Sequence, residues 1–347
     1  MPEFTQYETI AGGALIFWVL MTSKGWPLKS AMWFLPPLLF SLLLLIQSIE
    51  FSNSFTDFIR VPFSWFSIHL LFMVLALSPK RKELFMLVGI GMFCGLLVNV
   101  LEYFQWIDLF GLAKEKSRFG GTLVNPNGYS FIAVSVLMWG LMYREKLRFW
   151  PIILIVCIHI IWVQSLSRTY MVVSLLALSS LIPILSWRKW VIGLILTFVI
   201  VLASNLDFTR TIERFNTIGD SKADLSTVHR IRYIEAAIEY WRVKPLFGWG
   251  TDAFRHINSS SYSHNNYTEV LCNHGLFGFM IYYSFHALIF IIALIRRNVL
   301  VLVALFTILL SDIGIVSMIE KSAWFIHYLG ISVLIDYENE RRHNRNR

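Results

Sequence analysis

The feature that most constrains this chain is its succession of long apolar runs. A helix that crosses a bilayer needs about 20 mostly apolar residues, and fewer where interfacial aromatics flank it. About eleven stretches meet that rule, at roughly 9–23, 31–49, 58–78, 84–104, 128–143, 149–166, 169–186, 190–206, 276–295, 299–318 and 323–336. With 56% hydrophobic and only 15% charged residues, the chain is too apolar for a domain with a fully polar surface. The expected fold is an all-α polytopic membrane protein of about 11 transmembrane helices. The net charge of +8 does not imply nucleic acid, because the basic residues sit in short clusters between apolar runs: Lys24 and Lys29, PKRKE (79–83), REKLR (144–148), SWRK (186–189), IRRN (295–298) and the tail ENERRHNRNR. Alternate loops carry them, as expected of cytoplasmic loops. The amino terminus lacks a basic segment, so the first apolar run is expected to be retained. Three scattered cysteines, Cys94, Cys157 and Cys272, form no disulfide framework.

This topology leaves three segments on the external face: 105–127, the turn QSLSRT (164–169), and a polar stretch of about 70 residues, 207–275. The expected organisation is helices 1–8 within 1–206, including the external loop 105–127; a structured periplasmic loop, 207–275; helices 9–11 within 276–336; and a basic cytoplasmic tail, 337–347. Long loops between tight turns carry function or structure of their own. Within 207–275, VHRIRYIEAAIEYWRVKP spaces Ile231, Ile234, Ile238 and Trp241 three to four apart, with Ser226 or Thr227 as the N-cap and Pro245 as the stop. It reads as an amphipathic helix on the outer membrane face or as a lid packed on the bundle.

Arg168, in SLSRT, places a guanidinium at the external mouth of two apolar helices, either to grip phosphate or to snorkel to the interface. In SRFGGTLVNPNGYS (117–130) the glycines and Pro126 forbid a regular helix and present Arg118, Asn125 and Asn127, as a site loop or as the start of a helix. Arg230 lies on the amphipathic segment ahead of KPLFGWG, which lacks the spacing of a phosphate-binding P-loop. SHNNYTEVLCNHGLFG (263–278) brings His264, Cys272 and His274 near one another, but at separations unlike those of close zinc-ligand pairs. His264 is a candidate general base that Asn265 and Glu269 would orient; the alternative is a hydrogen-bonded histidine at a helix start. His69, Asn99, His159, His286 and Asp312 lie inside apolar runs as catalytic candidates or interhelical partners.

RFGGTLVNPN, SLSRT, the pattern from Arg230 to Gly250, and SHNNYTEVLCNHGLFG occur in the order found in bacterial O-antigen ligases and polymerases, and residues 105–285 resemble that superfamily. The resemblance implies a glycosyltransferase of the bacterial inner membrane that moves a glycan en bloc from undecaprenyl pyrophosphate to a sugar hydroxyl. The topology puts the expected active site at the periplasmic face, and with arginines to take the charge on the leaving pyrophosphate no cofactor or metal is expected. The acceptor is lipid A-core for a ligase or a growing glycan for a polymerase, and a chain-length regulator is a candidate partner. Arg168 and Arg230 match arginines that hold the pyrophosphate, and His264 matches the catalytic histidine. Arg118 and Asn127 match weaker positions. The competing class is a lipid-linked oligosaccharide flippase or polysaccharide transporter. No internal repeat supports it, and the candidate residues gather on one external face, which favours an enzyme.

Overall fold

A computed structural model describes residues 33, 35–48, 55–107, 119–123, 125–181, 225–258 and 261–345. No strand occurs among them. The helices are α1 (Leu35–Ser48), α2 (Phe55–Leu77), α3 (Arg81–Tyr103), α4 (Pro126–Met142), α5 (Trp150–His159), α6 (Arg168–Ser179), α7 (Leu225–Val243), α8 (Ala253–Ile257), α9 (Asn266–Ile295), α10 (Val299–Ser311) and α11 (Lys321–Arg345). The chain divides into two units: 1–85 with 229–305 and 315–347, and 86–228 with 306–314.

In the first unit α1 packs on α2 and α9, and α2 packs on α11. Its centre is aromatic. Trp65 and Trp324 meet edge to face at 5.3 Å, and their indole N–H groups both donate to the Met318 carbonyl, at 3.2 and 3.0 Å. That shared acceptor lets two large rings be buried without leaving a polar N–H unsatisfied. His69 in the same cluster lies 2.9 Å from the Tyr328 hydroxyl through Nδ1. At the edge of this unit Arg81 pairs with Asp336 at 2.6 Å, both side chains largely buried.

α9 is two helices joined at a break. Gly275 adopts φ 63° and ψ −169°, which interrupts the hydrogen-bond ladder and orphans carbonyls before the break and N–H groups after it. Residues 245–250 satisfy both sets. Trp249 and Gly250 N–H groups donate to the Cys272 and Asn273 carbonyls at 3.0 and 2.8 Å, while Leu276 and Phe277 N–H groups donate to the Pro245 and Leu246 carbonyls at 2.8 and 3.0 Å. The two backbones approach so closely that a Cβ on Gly248 would lie 2.5 Å from the Asn273 carbonyl, and one on Gly275 would lie 2.4 Å from that of Leu246.

In the second unit α4 packs against α5 and α6, and residues 128–131 and 133–141 of α4 are all buried. Gly89 of α3 faces Trp139 of α4, where a Cβ would come within 2.1 Å of the indole. The Asn99 side chain accepts from the Thr122 N–H at 2.8 Å and donates to the Gly95 carbonyl at 2.8 Å, an interhelical structural role.

The expectation of about 11 transmembrane helices in a polytopic fold is corrected. Among the described residues two helices are long and apolar enough to cross a membrane, Arg81–Tyr103 and Asn266–Ile295. Five further apolar helices are shorter: Leu35–Ser48, Trp65–Leu77, Trp150–Gln164, Arg168–Ser179 and Val299–Ser311. At 1.5 Å per residue the 14 residues of α1 reach only about 21 Å, against a hydrocarbon thickness of about 30 Å. An apolar run is also what a buried helix requires: α4 is apolar all round because protein encloses it. The runs at 9–23 and 190–206 lie outside the described residues.

The helix expected in VHRIRYIEAAIEYWRVKP is α7, which begins before Ser226 and Thr227, so these residues occupy its first turn. The face it packs differs from the expected stripe. Tyr233, Ala236, Ala237 and Tyr240 meet Phe254 and Cys272, while Ile231 is 50% exposed.

Candidate active site

His264 sits in the loop that starts α9, and a local network dictates its conformation. The Asn265 side chain caps the helix by accepting from the Thr268 N–H at 3.1 Å. Four residues on, Glu269 is 1% exposed and accepts from the Ser263 N–H through Oε2 at 2.7 Å. The Ser263 hydroxyl donates to the Asn265 carbonyl at 2.8 Å, closing the turn around His264. Asn273, one turn further along α9, donates to Glu269 Oε1 at 3.4 Å and accepts from the Phe254 N–H at 2.8 Å. His264 is thereby held at φ +56°, a left-handed conformation that costs a residue with a Cβ about 1–2 kcal/mol and persists where its surroundings enforce it.

The imidazole is half-buried, with its ring 6.2 Å from that of Tyr233 on α7. Burial first, and the Arg230 guanidinium second, hold it below the ordinary histidine pKa. Both act on the charged form, which burial desolvates and a neighbouring cation repels. His264 is therefore a neutral proton acceptor over a wider acid range than a solvated histidine. The first unit thus joins Arg230, His264, Asn265 and Glu269.

Cys272 and His274 lie elsewhere. Cys272 is buried with Ala237 and Phe254. The His274 ring is buried, with Nδ1 2.6 Å from Gln47 Oε1 and its edge toward Phe40.

The second unit holds another group. α5 ends in a π turn, Ile160–Gln164, the kind of irregularity found often at functional sites, and Leu166 follows at φ +50°. The Gln164 side chain accepts from the Tyr129 hydroxyl at 3.0 Å, and its carbonyl accepts from the Phe119 N–H at 2.8 Å. Ser167 N-caps α6 by position, and its hydroxyl donates to Asn127 Oδ1 at 2.8 Å. Asn125 N-caps α4, accepting from the Asn127 N–H at 3.0 Å. Arg168, half-buried in the first turn of α6, donates to the Thr227 hydroxyl at 3.0 Å. Asn125, Asn127 and Arg168 are thereby linked through Ser167, while Arg118 lies outside the described residues.

The sequence gives no site role to Ser167, Ser263 or Asn273, and reads Thr227 only as an N-cap. Only Asn273 carried a signal, lying four residues after Glu269 on one helix face.

These features and the two apolar helices define a helical, membrane-associated protein with a strained, polar-supported histidine beside Arg230 in one unit and a half-buried Arg168 in the other. Residues 152–283 match the family model described as O-antigen ligase. The likeness to O-antigen ligases is confined to this segment, 132 of the 347 residues. The matched segment contains Arg168, Arg230, His264, Asn265 and Glu269; Arg118, Asn125 and Asn127 precede it. No curated protein matches the chain.

Proposed function

We propose that this protein transfers a glycan en bloc from undecaprenyl pyrophosphate to a sugar hydroxyl, working at the periplasmic face of the inner membrane, with His264 as the base. The observation that carries this reading is the His264 loop: a strained histidine, held below the ordinary histidine pKa by burial and Arg230 and locked by Glu269 through Ser263.

His264 accepts the acceptor hydroxyl proton while that oxygen attacks the anomeric carbon of the donor. The bond from that carbon to the phosphate oxygen breaks, and undecaprenyl pyrophosphate leaves with the electron pair. Attack opposite the leaving group inverts the anomeric centre. Arg168 and Arg230 hold the pyrophosphate and stabilise the charge that develops on its oxygens, a stabilisation that is strongest where water is scarce. Since guanidinium groups supply this charge, the mechanism requires no metal. Arg118, Asn125 and Asn127 contact the donor glycan, while Asn265 and Glu269 set the position of His264.

The test is reconstitution in vesicles with an undecaprenyl-pyrophosphate glycan, offering lipid A-core and a second donor molecule separately. Transfer to lipid A-core marks a ligase, and elongation of the second donor marks a polymerase. His264→Ala, Arg168→Ala and Arg230→Ala should each lower the rate by about 100-fold or more while the protein still inserts and accumulates. A His264→Ala variant of full activity would remove the histidine from the chemistry, and translocation of the donor without transfer would replace the enzyme reading by a flippase.

A further inference from the structure

The segment that bridges the break in α9 has an unusual division between backbone and side chains. All four carbonyls from Lys244 to Phe247 are occupied within the first unit. Lys244 accepts from the Gly248 N–H at 3.0 Å, Pro245 from Leu276 at 2.8 Å and from the Trp241 indole at 3.0 Å, Leu246 from Phe277 at 3.0 Å, and Phe247 from the Gln47 amide at 2.6 Å. The side chains face outward: Val243 is 68% exposed, Leu246 61% and Phe247 59%. A water-facing turn normally shows the reverse, with solvated carbonyls and polar side chains. Paired carbonyls beneath projecting apolar groups suit the edge of the hydrocarbon layer, because each unpaired polar group carried into it costs several kcal/mol.

The exposed patch continues onto the apolar half of α9. Leu276, Phe277 and Met280 are exposed at its start, and the Phe247 and Phe277 rings are 5.7 Å apart. Residues 276–295 belong to one of the two helices able to cross a membrane, so the patch extends a lipid-facing surface. Its polar margin suits the headgroup level. Arg242 is exposed beside Val243, the Lys244 ammonium lies 4.3 Å over the Trp249 ring, and Trp241 stands one turn back. Arginine, lysine and tryptophan are the side chains that favour that layer.

We propose that residues 243–247 form a membrane anchor whose Val243, Leu246 and Phe247 side chains insert among bilayer acyl chains where the apolar half of α9 enters the membrane. The partner is lipid. The anchor fixes the depth of the break at Gly275, and through the helix half before it the height of the His264 loop above the lipid. It rests on membrane association and not on the transfer chemistry, so its test does not read activity.

The experiment is site-directed spin labelling of the full chain in vesicles of phosphatidylethanolamine and phosphatidylglycerol. The exposed Cys94 is first replaced by serine. Labels are then placed singly through Leu246→Cys, Phe247→Cys and Val243→Cys, with Glu239→Cys on the exposed face of α7 as the aqueous control. Labels at 243, 246 and 247 should collide with oxygen more often than with a water-soluble nickel chelate, the reverse of the ratio at 239. Because these side chains are exposed, labelling disturbs little packing, and three sites guard against one misfolded variant. Nickel collisions as frequent as at 239 would overturn the proposal. So would shielding from both reagents, the mark of a covering protein.

Discussion

Removing the Glu269 carboxylate should cost transfer rate without a matching loss of fold. In Glu269→Ala the buried Ser263 N–H loses its 2.7 Å acceptor, and a buried donor left unpaired costs about 1–3 kcal/mol. The left-handed backbone of His264 already carries strain of similar size, so the loop has that much reason to relax once its tie is cut. If the full penalty falls on the competent conformation, the rate drops by about 5- to 150-fold, at 1.36 kcal/mol per factor of ten. Glu269→Gln keeps an amide oxygen that can accept from Ser263, and should retain most of the activity. The assay is the initial rate of glycan transfer in vesicles, normalised to inserted protein, with KM for both substrates and a melting curve. The expectation is a fall in kcat for the alanine variant, little change in either KM, and recovery with glutamine. Full activity in Glu269→Ala would refute the positioning role, and a glutamine variant as impaired as alanine would show that the charge acts directly.

Three further outcomes follow from the same geometry. Burial and Arg230 hold His264 below the ordinary histidine value, while burial raises Glu269 to about 7, so the transfer rate of Glu269→Gln, which removes the second titration, should stay level as pH falls through the usual histidine range and decline only below it; a decline of that variant centred on about 6.5 would show a solvated imidazole. Gly248→Ala should destabilise the fold by at least about 1–3 kcal/mol, because φ is +70° there and the new Cβ would meet the Asn273 carbonyl; an unchanged melting temperature would contradict that packing. Chelator added to reconstituted protein should leave transfer unchanged, and loss of activity restored by a divalent cation would refute the arginine-based account.

The motifs were legible in the sequence because their signals are local. SLSRT and SHNNYTEVLC stand out as polar islands between apolar runs, and Asn265 and Asn125 occupy the N-cap positions that short polar side chains favour. Helical class followed from the apolar runs, yet the number of spans did not. Hydropathy records that residues avoid water without recording whether protein or lipid covers them, as the enclosed α4 shows. The α7 stripe misled for a related reason. Ile231 completes a regular spacing, but small and aromatic residues, Ala236, Ala237 and Tyr240, make the packed face.

From the residue order alone came helicity, the polar islands, the matching arginines and histidine, and the resemblance to the O-antigen ligase superfamily, since each depends on neighbours a few residues apart. Tertiary structure decided what depends on distant segments. It broke α9 at Gly275 and bridged the break with residues 245–250, and tied Arg168 to Thr227 and Ser167 to Asn127. A hydrogen bond between residues far apart in the chain leaves no periodicity to read, whereas the left-handed turn at His264 is closed by bonds within the segment 263–273 whose pattern follows no helical or strand period.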